Sequence, residues 1–375
     1  MMHSFLPTEQ TASLIFFNIC LLLIMYMLMR KALKFPYVAS IKNRFFTILL
    51  MFLFVLFSFW GPDWFHYQEC YASLKLGGLT HIEDVYYWIA QNLSPNYLVF
   101  RLVIWGSGLI LYLLTLKRMP ISRDLSILLF SCIFLPYFSY TRVSLAMAMG
   151  FWGLSIMCNP HRSKILSYLL GIIFILGSFY FHKSSLFLIV ILLFTILLLK
   201  FPKKTLWLLI LFYPLFIYLT KGEISEFLMA DMSSSNESFN SYMMGGQQYL
   251  SDEKKVHGVG ANLSMLAEIL PYFMLLFISL KTILKGSYRI PKTIYAFILA
   301  LILIITGSSI FMFDMEANTD IVYIRFMRFA AIPSSIVLSY FYVNNISAKY
   351  TRLCYWLFIL GIFYRISYVF YNNLL

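Results

Sequence analysis

The sequence predicts an all-α, polytopic membrane protein with about twelve transmembrane helices, and three observations support this fold class. Of the 375 residues, 61% are hydrophobic and only 12% are charged. Apolar runs long enough to cross about 30 Å of hydrocarbon recur from end to end. The charges fall into short segments between these runs. Such a chain has room for one transmembrane domain, residues 1–375, and no separate soluble domain.

The predicted helices follow the apolar runs and end at charged or turn-forming residues. They cover residues 12–29, 45–60, 97–116, 125–140, 143–158, 165–181, 185–199, 205–219, 263–280, 293–313, 327–343 and 353–371. The first helix is followed by Met29, Arg30 and Lys31 rather than by a small-residue cleavage site. It is therefore predicted to be a retained anchor and not a signal peptide.

The charge distribution predicts the orientation of the helices. If residues 30–44 are cytoplasmic, strict alternation puts 19 of the 29 Lys and Arg residues inside and 15 of the 16 Asp and Glu residues outside. Loops rich in Lys and Arg are typical of the cytoplasmic side. Both termini then lie on the outer, periplasmic side, and Asp124 is the one inner acid. This bias accounts for the net charge of +13, so nucleic-acid binding is not predicted.

Two predicted loops exceed the length of a turn, and both are outer. They cover residues 61–96 and 220–262, and the first includes a predicted surface helix near residues 82–93. Long loops in a compact protein are usually functional or disordered. Any chemistry is therefore expected at the outer face.

Several common catalytic and cofactor motifs are absent from the sequence. It contains no GxxxxGK[ST] or GxGxxG phosphate-binding loop, no CxxC pair and no HExxH. Among the five cysteines only Cys70 falls in an outer loop, so an outer disulfide framework is excluded. No nucleotide, metal or other cofactor is predicted.

Ionisable residues interrupt otherwise apolar sequence at two tight outer turns. Arg142 is the only charge between residues 125 and 157, and Lys183, preceded by His182, is the only charge between 165 and 199. The flanking helices are short, so these turns are expected below the lipid headgroups, where charges are costly without a partner or a wet cavity. Simpler interpretations stay open. Arg142 and Lys183 could bind lipid phosphates, and the His182 ring could form a hydrogen bond with the backbone.

A third cluster of charges precedes the eleventh predicted helix. Arg325 and Arg328 are three residues apart, so on a helix they share one face. Two guanidinium groups on one face suit a pyrophosphate. The alternative is that they pair with nearby acids and brace the bundle. These acids are Asp314, Glu316 and Asp320, and their spacing does not predict a metal site.

The order of these elements resembles a known family over most of the chain. The elements are Asp63 and Tyr67 after the second helix, Arg142 opening a helix rich in Ala and Met, the turn 181–186 (Phe-His-Lys-Ser-Ser-Leu), and Arg328 followed by Phe329. This order is similar to that of the EpsG-type group of Wzy polysaccharide polymerases. The turns at Arg142 and His182 are its most specific parts.

The resemblance implies an enzyme of the bacterial inner membrane. Such polymerases join oligosaccharide repeat units carried on undecaprenyl pyrophosphate, at the outer face, for O-antigen, capsule or exopolysaccharide. The bilayer is one expected partner, and a chain-length regulator and a flippase are others. The chemistry needs a base and cations, but neither nucleotide nor metal.

The candidate site residues divide by chemical role. His182 is the first candidate for the base and Asp63 the second. The cations expected to hold pyrophosphate are Arg142, Lys183, Arg325 and Arg328. Aromatic rings stack on sugars and carboxylates accept their hydroxyl hydrogens, so the sugar-binding candidates are Trp64, Tyr67, Tyr71 and Glu69.

Other functions are weighed against this one. A flippase for lipid-linked sugars would need charges deep in several helices, whereas here they cluster near the outer edge. An O-antigen-type ligase uses the same donor chemistry and stays open. A membrane acyltransferase would need its His reachable from inside, and a scaffold would tolerate Arg142→Ala. The sequence leaves open the sugars, the linkage, the chain length and the oligomeric state.

Overall fold

The computed structural model describes most of the predicted helical regions. The described residues are 63–77, 84–134, 141–160, 163–182, 184–201, 259–285, 289–312 and 326–374, with isolated stretches between 20 and 52 and between 212 and 219. Lys183, Arg325 and nearly all of the loop 220–262 lie outside them, as do most of the predicted helices 12–29, 45–60 and 205–219. The predicted sides of the two termini stay a prediction.

Every regular element among the described residues is helical, so the all-α prediction is confirmed. The helices are α1 (Asp63–Lys75), α2 (Asp84–Asn92), α3 (Tyr97–Lys117), α4 (Arg123–Phe134), α5 (Thr141–Cys158), α6 (Lys164–Phe181), α7 (Ser185–Leu198), α8 (Val259–Lys285), α9 (Lys292–Met312), α10 (Ala331–Val343) and α11 (Ala348–Leu374). A 3-10 turn, Arg328–Ala330, precedes α10.

The helices agree with the predicted runs but differ at some ends. α2 confirms the predicted surface helix. α4 is described over Arg123–Phe134, and residues 135–140 of the predicted helix lie outside the described residues. α8 and α11 are longer than predicted, since their polar ends continue the helical hydrogen bonding.

Length and apolar composition identify the helices able to cross a membrane. Among the described residues three qualify, namely Tyr97–Lys117, Lys164–Phe181 and Lys292–Ile310. Four shorter apolar helices are Arg142–Cys158, Ser185–Leu198, Ile269–Leu284 and Arg328–Val343. These helices support a membrane protein, while the count of about twelve spans stays a prediction.

Helix α5 packs against α3, α6 and α7, and glycines allow two of these contacts to be close. A Cβ atom added to Gly153 would lie 2.5 Å from the carbonyl oxygen of Gly171 in α6. One added to Gly108 in α3 would lie 3.1 Å from Cα of Leu145 in α5. Small residues let membrane helices approach until their backbones touch. These contacts fix the depth of α5 relative to its neighbours.

Polar contacts join the helices at the predicted inner end. Arg44 Nε donates to Asp124 Oδ1 at 2.6 Å, so two residues that are both predicted to be inner form an ion pair. Arg118, which follows α3, donates to the backbone oxygen of Asn159, which follows α5. The ends of α3 and α5 therefore lie together, and the two helices run in the same direction.

Candidate functional site

Arg142 opens α5 well below the level at which α3 begins. Gly108 of α3 lies against Leu145 of α5, and the two helices run in the same direction. Arg142, three residues before Leu145, is therefore level with Trp105, three residues before Gly108. Trp105 is eight residues into α3, or about 12 Å at 1.5 Å per residue. The Arg142 side chain is half-buried. The structure thus places this cation within the helix bundle, below the level at which α3 begins, where a partly buried charge is costly without a partner or a function.

The turn at His182 is held by the serines of the sequence motif. The His182 amide donates to the Ser178 oxygen at 3.2 Å. Its own carbonyl oxygen accepts from the Ser185 amide at 2.9 Å and from the Ser185 hydroxyl at 2.6 Å. Ser184 Oγ lies 3.3 Å from His182 Nε2. The backbone of His182 is therefore fixed from both sides, and its half-buried ring has a hydroxyl beside it.

The turns at Arg142 and His182 lie at similar depth on adjacent helices. A Cβ atom added to Gly150 would lie 3.0 Å from side-chain atoms of Leu188 and Leu192 in α7. Both α5 and α7 begin at the predicted outer end. Arg142 lies eight residues before Gly150. His182 lies eight residues before position 190, which is midway between Leu188 and Leu192. The two residues are therefore at similar levels along their helices.

Tyr86 of α2 contacts both turns. Its hydroxyl donates to the Phe181 carbonyl oxygen at 2.6 Å, next to His182. The Arg142 guanidinium carbon lies 5.8 Å from the centroid of the Tyr86 ring, within the range of a cation–π interaction. Tyr86 is fully buried. One side chain from the outer loop therefore joins the two predicted site turns.

The segment around Arg328 approaches the same two helices. Phe326 stacks on Phe187 of α7, with ring centroids 4.1 Å apart and planes 13° from parallel. The 3-10 turn that begins at Arg328 packs against α5 and α9. Arg328 is only 6% exposed. Arg328, the described member of the third predicted cluster, therefore lies beside the helices that carry the other two.

A contact lower in the bundle shows the depth of Arg328. The Tyr112 hydroxyl of α3 lies 2.9 Å from Ser335 Oγ of α10, so these residues share one depth. Seven residues before Ser335 is Arg328, and seven before Tyr112 is Trp105, the residue level with Arg142. Arg142 and Arg328 therefore both lie on the predicted outer side of this contact.

Helix α1 carries the predicted sugar-binding residues. Tyr71 is buried: its hydroxyl donates to the Ser94 oxygen at 2.8 Å, and its ring centroid lies 5.2 Å from that of Phe100. The Tyr71 ring is therefore covered by other side chains of the protein, which leaves little of it to stack on a sugar. Glu69 is exposed. The side chains of Asp63, Trp64 and Tyr67, all in the first part of α1, lie outside the described residues.

The second half of α1 lies within electrostatic reach of Arg142. Burial raises the pKa of the Cys70 thiol, and the positive charge of Arg142 partly opposes that rise. Cys70 is 6% exposed and packs with Tyr86 in one apolar cluster. The outer-loop helices therefore pack next to Arg142 rather than away from it.

The structure brings together Arg142, His182 and Arg328 among the predicted site residues. Sequence reasoning missed Tyr86, and it assigned no role to the buried cation Arg101. Tyr86 could have been found from the helical spacing of Tyr86, Ile89 and Ala90, which form the buried face of α2. Arg101, one turn into α3, is 1% exposed, and its Nη1 donates to the Tyr97 hydroxyl at 3.3 Å. A charge one turn into an apolar helix was its signal.

This arrangement suits an anion that carries several charges. Helices α5, α7 and α10 all begin here, and helix N-termini attract negative charge. The guanidinium groups of Arg142 and Arg328 add formal positive charge near these helix starts. An imidazole such as that of His182 can accept a proton near neutral pH. The site can therefore support a reaction in which an anionic group leaves while a hydroxyl loses its proton.

Comparison with known proteins agrees with these elements. The model of the EpsG family matches residues 42–375. No curated protein and no solved structure matches the chain. The matched region includes α1 to α11 and every residue of the candidate site. The chain therefore belongs to the EpsG family and is a membrane protein related to polysaccharide synthesis.

Proposed function

We propose that this chain is a membrane glycosyltransferase that polymerises oligosaccharide repeat units carried on undecaprenyl pyrophosphate, at the outer face of the bacterial inner membrane. The observation that carries this proposal is that Tyr86 contacts Arg142 and the turn at His182, while Phe326, two residues before Arg328, stacks on α7 next to that turn. Membership of the EpsG family supports it.

The proposed reaction is a single displacement at the anomeric carbon of the donor unit. A sugar hydroxyl of the acceptor unit attacks that carbon, and the new glycosidic bond forms as the bond to the pyrophosphate oxygen breaks. His182 accepts the hydroxyl proton, with Asp63 as the second candidate. The lipid pyrophosphate leaves with the electron pair of the broken bond. Because the hydroxyl attacks from the opposite face, the configuration at the anomeric carbon inverts.

The cations act on the leaving group. Negative charge grows on the pyrophosphate as its bond to the sugar breaks, and fixed positive groups stabilise that charge in a site of low dielectric. Arg142 and Arg328 are the described residues with this role, and Lys183 and Arg325 are proposed to add to it. No nucleotide or metal is proposed, because the pyrophosphate leaving group already activates the donor.

The depth of the site suits a substrate anchored in lipid. Arg142 lies about 12 Å below the start of α3 by helical rise, so a pyrophosphate could reach it while its polyprenyl chain stays in the bilayer. The sugars would extend outward past α1, where Glu69 is exposed. Trp64 and Tyr67 are proposed to contact them. A flippase would supply these units, and a chain-length regulator would act on the growing polymer.

Deletion of the chain from a producing strain tests this function. Polymerase loss is expected to leave single repeat units on the lipid carrier at the outer face of the membrane. Single units trapped on the inner face would instead indicate a flippase, and long polymer retained on the carrier would indicate a ligase. Complementation with the wild type should restore polymer, whereas Arg142→Ala should not.

A further inference from the structure

We propose that Tyr86 is a positioning residue for this reaction: from α2 it holds the Arg142 guanidinium and the His182 turn in one geometry. The inference rests on the proposed function. In this proposal α2, a helix of the outer loop, contributes to catalysis by positioning the site residues.

The first contact fixes the peptide group that carries His182. The carbonyl oxygens in the last turn of a helix have no partner within that helix, and Phe181 is the last residue of α6. Tyr86 donates to the Phe181 oxygen at 2.6 Å. That oxygen belongs to the peptide bond joining Phe181 to His182. The hydrogen bond therefore restricts rotation of the peptide plane from which the imidazole projects.

The second contact restricts Arg142. An arginine side chain has many rotamers, and a charged group near a hydrocarbon interior is drawn toward water or lipid headgroups. The Tyr86 ring lies 5.8 Å from the guanidinium carbon, so its π face favours the position beside the His182 turn. Removing the ring would free Arg142 to take other positions.

The packing of α2 makes Tyr86 a rigid support. Its ring contacts Phe100 of α3 and Phe181 of α6 in edge-to-face geometry, at centroid distances of 6.2 and 6.3 Å. The neighbouring Tyr87 and Trp88 are 45% and 56% exposed. Packing alone would be satisfied by phenylalanine at position 86. The hydroxyl has a specific partner, and that partner adjoins the candidate base.

Kinetics of two substitutions separate the contacts. The full chain is purified into liposomes, and the substrate is the lipid-linked single units extracted from the deletion strain. Tyr86→Phe keeps the ring and loses the hydroxyl, so kcat is expected to fall about tenfold with KM within about twofold, since misplacement of a reacting group lowers the rate of the chemical step. Tyr86→Leu also loses the ring beside Arg142, so KM should rise as well.

Tyr112→Phe is the matched control. Tyr112 is also fully buried, and its hydroxyl donates to the Ser126 oxygen at 2.9 Å at the opposite end of the bundle. Its kcat and KM should stay within about twofold of wild type. A Tyr86→Phe protein with wild-type kcat would overturn the inference, as would equal losses in both variants. If Tyr86→Leu does not fold, Tyr86→Phe decides the question alone.

Failure of the inference differs from failure of the proposed function. If the wild-type protein makes polymer and Arg142→Ala does not, the function stands whatever the Tyr86 variants do. If the wild type makes no polymer from these units, the polymerase proposal fails and this inference falls with it.

Discussion

Cations at the two ends of the helix bundle differ in how far their side chains are exposed. Most described cations at the predicted inner end are exposed, namely Arg30, Lys34, Lys117, Arg123, Lys164, Lys200, Arg289, Lys292, Lys349 and Arg352. Those described at the predicted outer end are all buried or half-buried: Lys75, Arg101, Arg142 and Arg328. A buried cation requires a partner or a function, whereas an exposed one requires neither.

The half-buried inner cations have structural partners. Arg44 pairs with Asp124 at 2.6 Å, Arg118 donates to a backbone oxygen and lies 5.5 Å from the Trp152 ring centroid, and Lys281 lies 4.8 Å from that of Tyr350. Membrane orientation and packing therefore account for the inner end. At the predicted outer end Arg142 and Arg328 lie at helix starts, which are already electropositive. Like charges are assembled there, as binding of a polyanion requires.

The largest expected effect comes from removing Arg142 at the predicted outer end, and Arg118 at the predicted inner end is the control. Arg142→Ala should reduce polymer formation at least about 100-fold, because it removes charge stabilisation from the leaving group. Arg118→Ala should retain most activity per folded protein, since its contacts are structural. Gel analysis of polymer at matched expression measures both. Similar losses of polymer in the two variants would show that the arginines at the two ends do not differ in function.

His182→Ala should lower kcat about 100-fold or more, the range expected for loss of a general base. Ser184→Ala is the control, since it keeps the imidazole and loses only the hydroxyl 3.3 Å from Nε2. Its effect should be a few-fold. Initial rates with extracted lipid-linked units measure both. Full activity of His182→Ala would transfer the base role to Asp63 or another group.

A moderate effect is expected on stability at the inner end. Asp124→Asn breaks the ion pair with Arg44, whose partners are 13% and 29% exposed, and should cost about 1 kcal/mol. The melting temperature of the purified protein should fall while activity per folded molecule is kept. The double exchange Arg44→Asp with Asp124→Arg should recover part of the loss. Lost activity in well-folded Asp124→Asn would contradict a purely structural inner end.

The smallest effect concerns Cys70. Burial raises the pKa of this thiol and Arg142 lowers it, so Arg142→Gln should raise the pKa further and leave less thiolate at a given pH. Alkylation of Cys70, in a protein lacking the other four cysteines, should slow about twofold at pH 8. The rate should rise with pH in both proteins. A faster reaction in Arg142→Gln would show that access, not charge, controls this thiol.

The sequence predicted the described helices well, because apolar runs and the charges that end them are local properties. It also identified the turns at Arg142 and His182, since a single charge in an apolar segment is conspicuous. The 3-10 turn at Arg328 has no comparable sequence signal.

Contacts between distant segments could not be predicted. Tyr86 looks like any aromatic residue of an amphipathic helix, and its hydrogen bond to Phe181 spans 95 residues. Tyr71 carries the sequence features of a sugar-stacking residue, but its burial depends on how α1 packs against α3. The meeting of Phe187 and Phe326 likewise depends on packing that no local pattern specifies.

Binding of polyprenyl pyrophosphate without sugar tests the central claim most directly, because it isolates the buried outer cations from the chemical step. Purified wild type, Arg142→Ala and Arg118→Ala would be compared by equilibrium binding of the radiolabelled lipid in detergent. Wild type and Arg118→Ala should bind with similar affinity, while Arg142→Ala should bind at least about tenfold more weakly, as expected for loss of a charge-assisted phosphate contact. Equal affinity of all three proteins would contradict the assignment of the outer end as a pyrophosphate site.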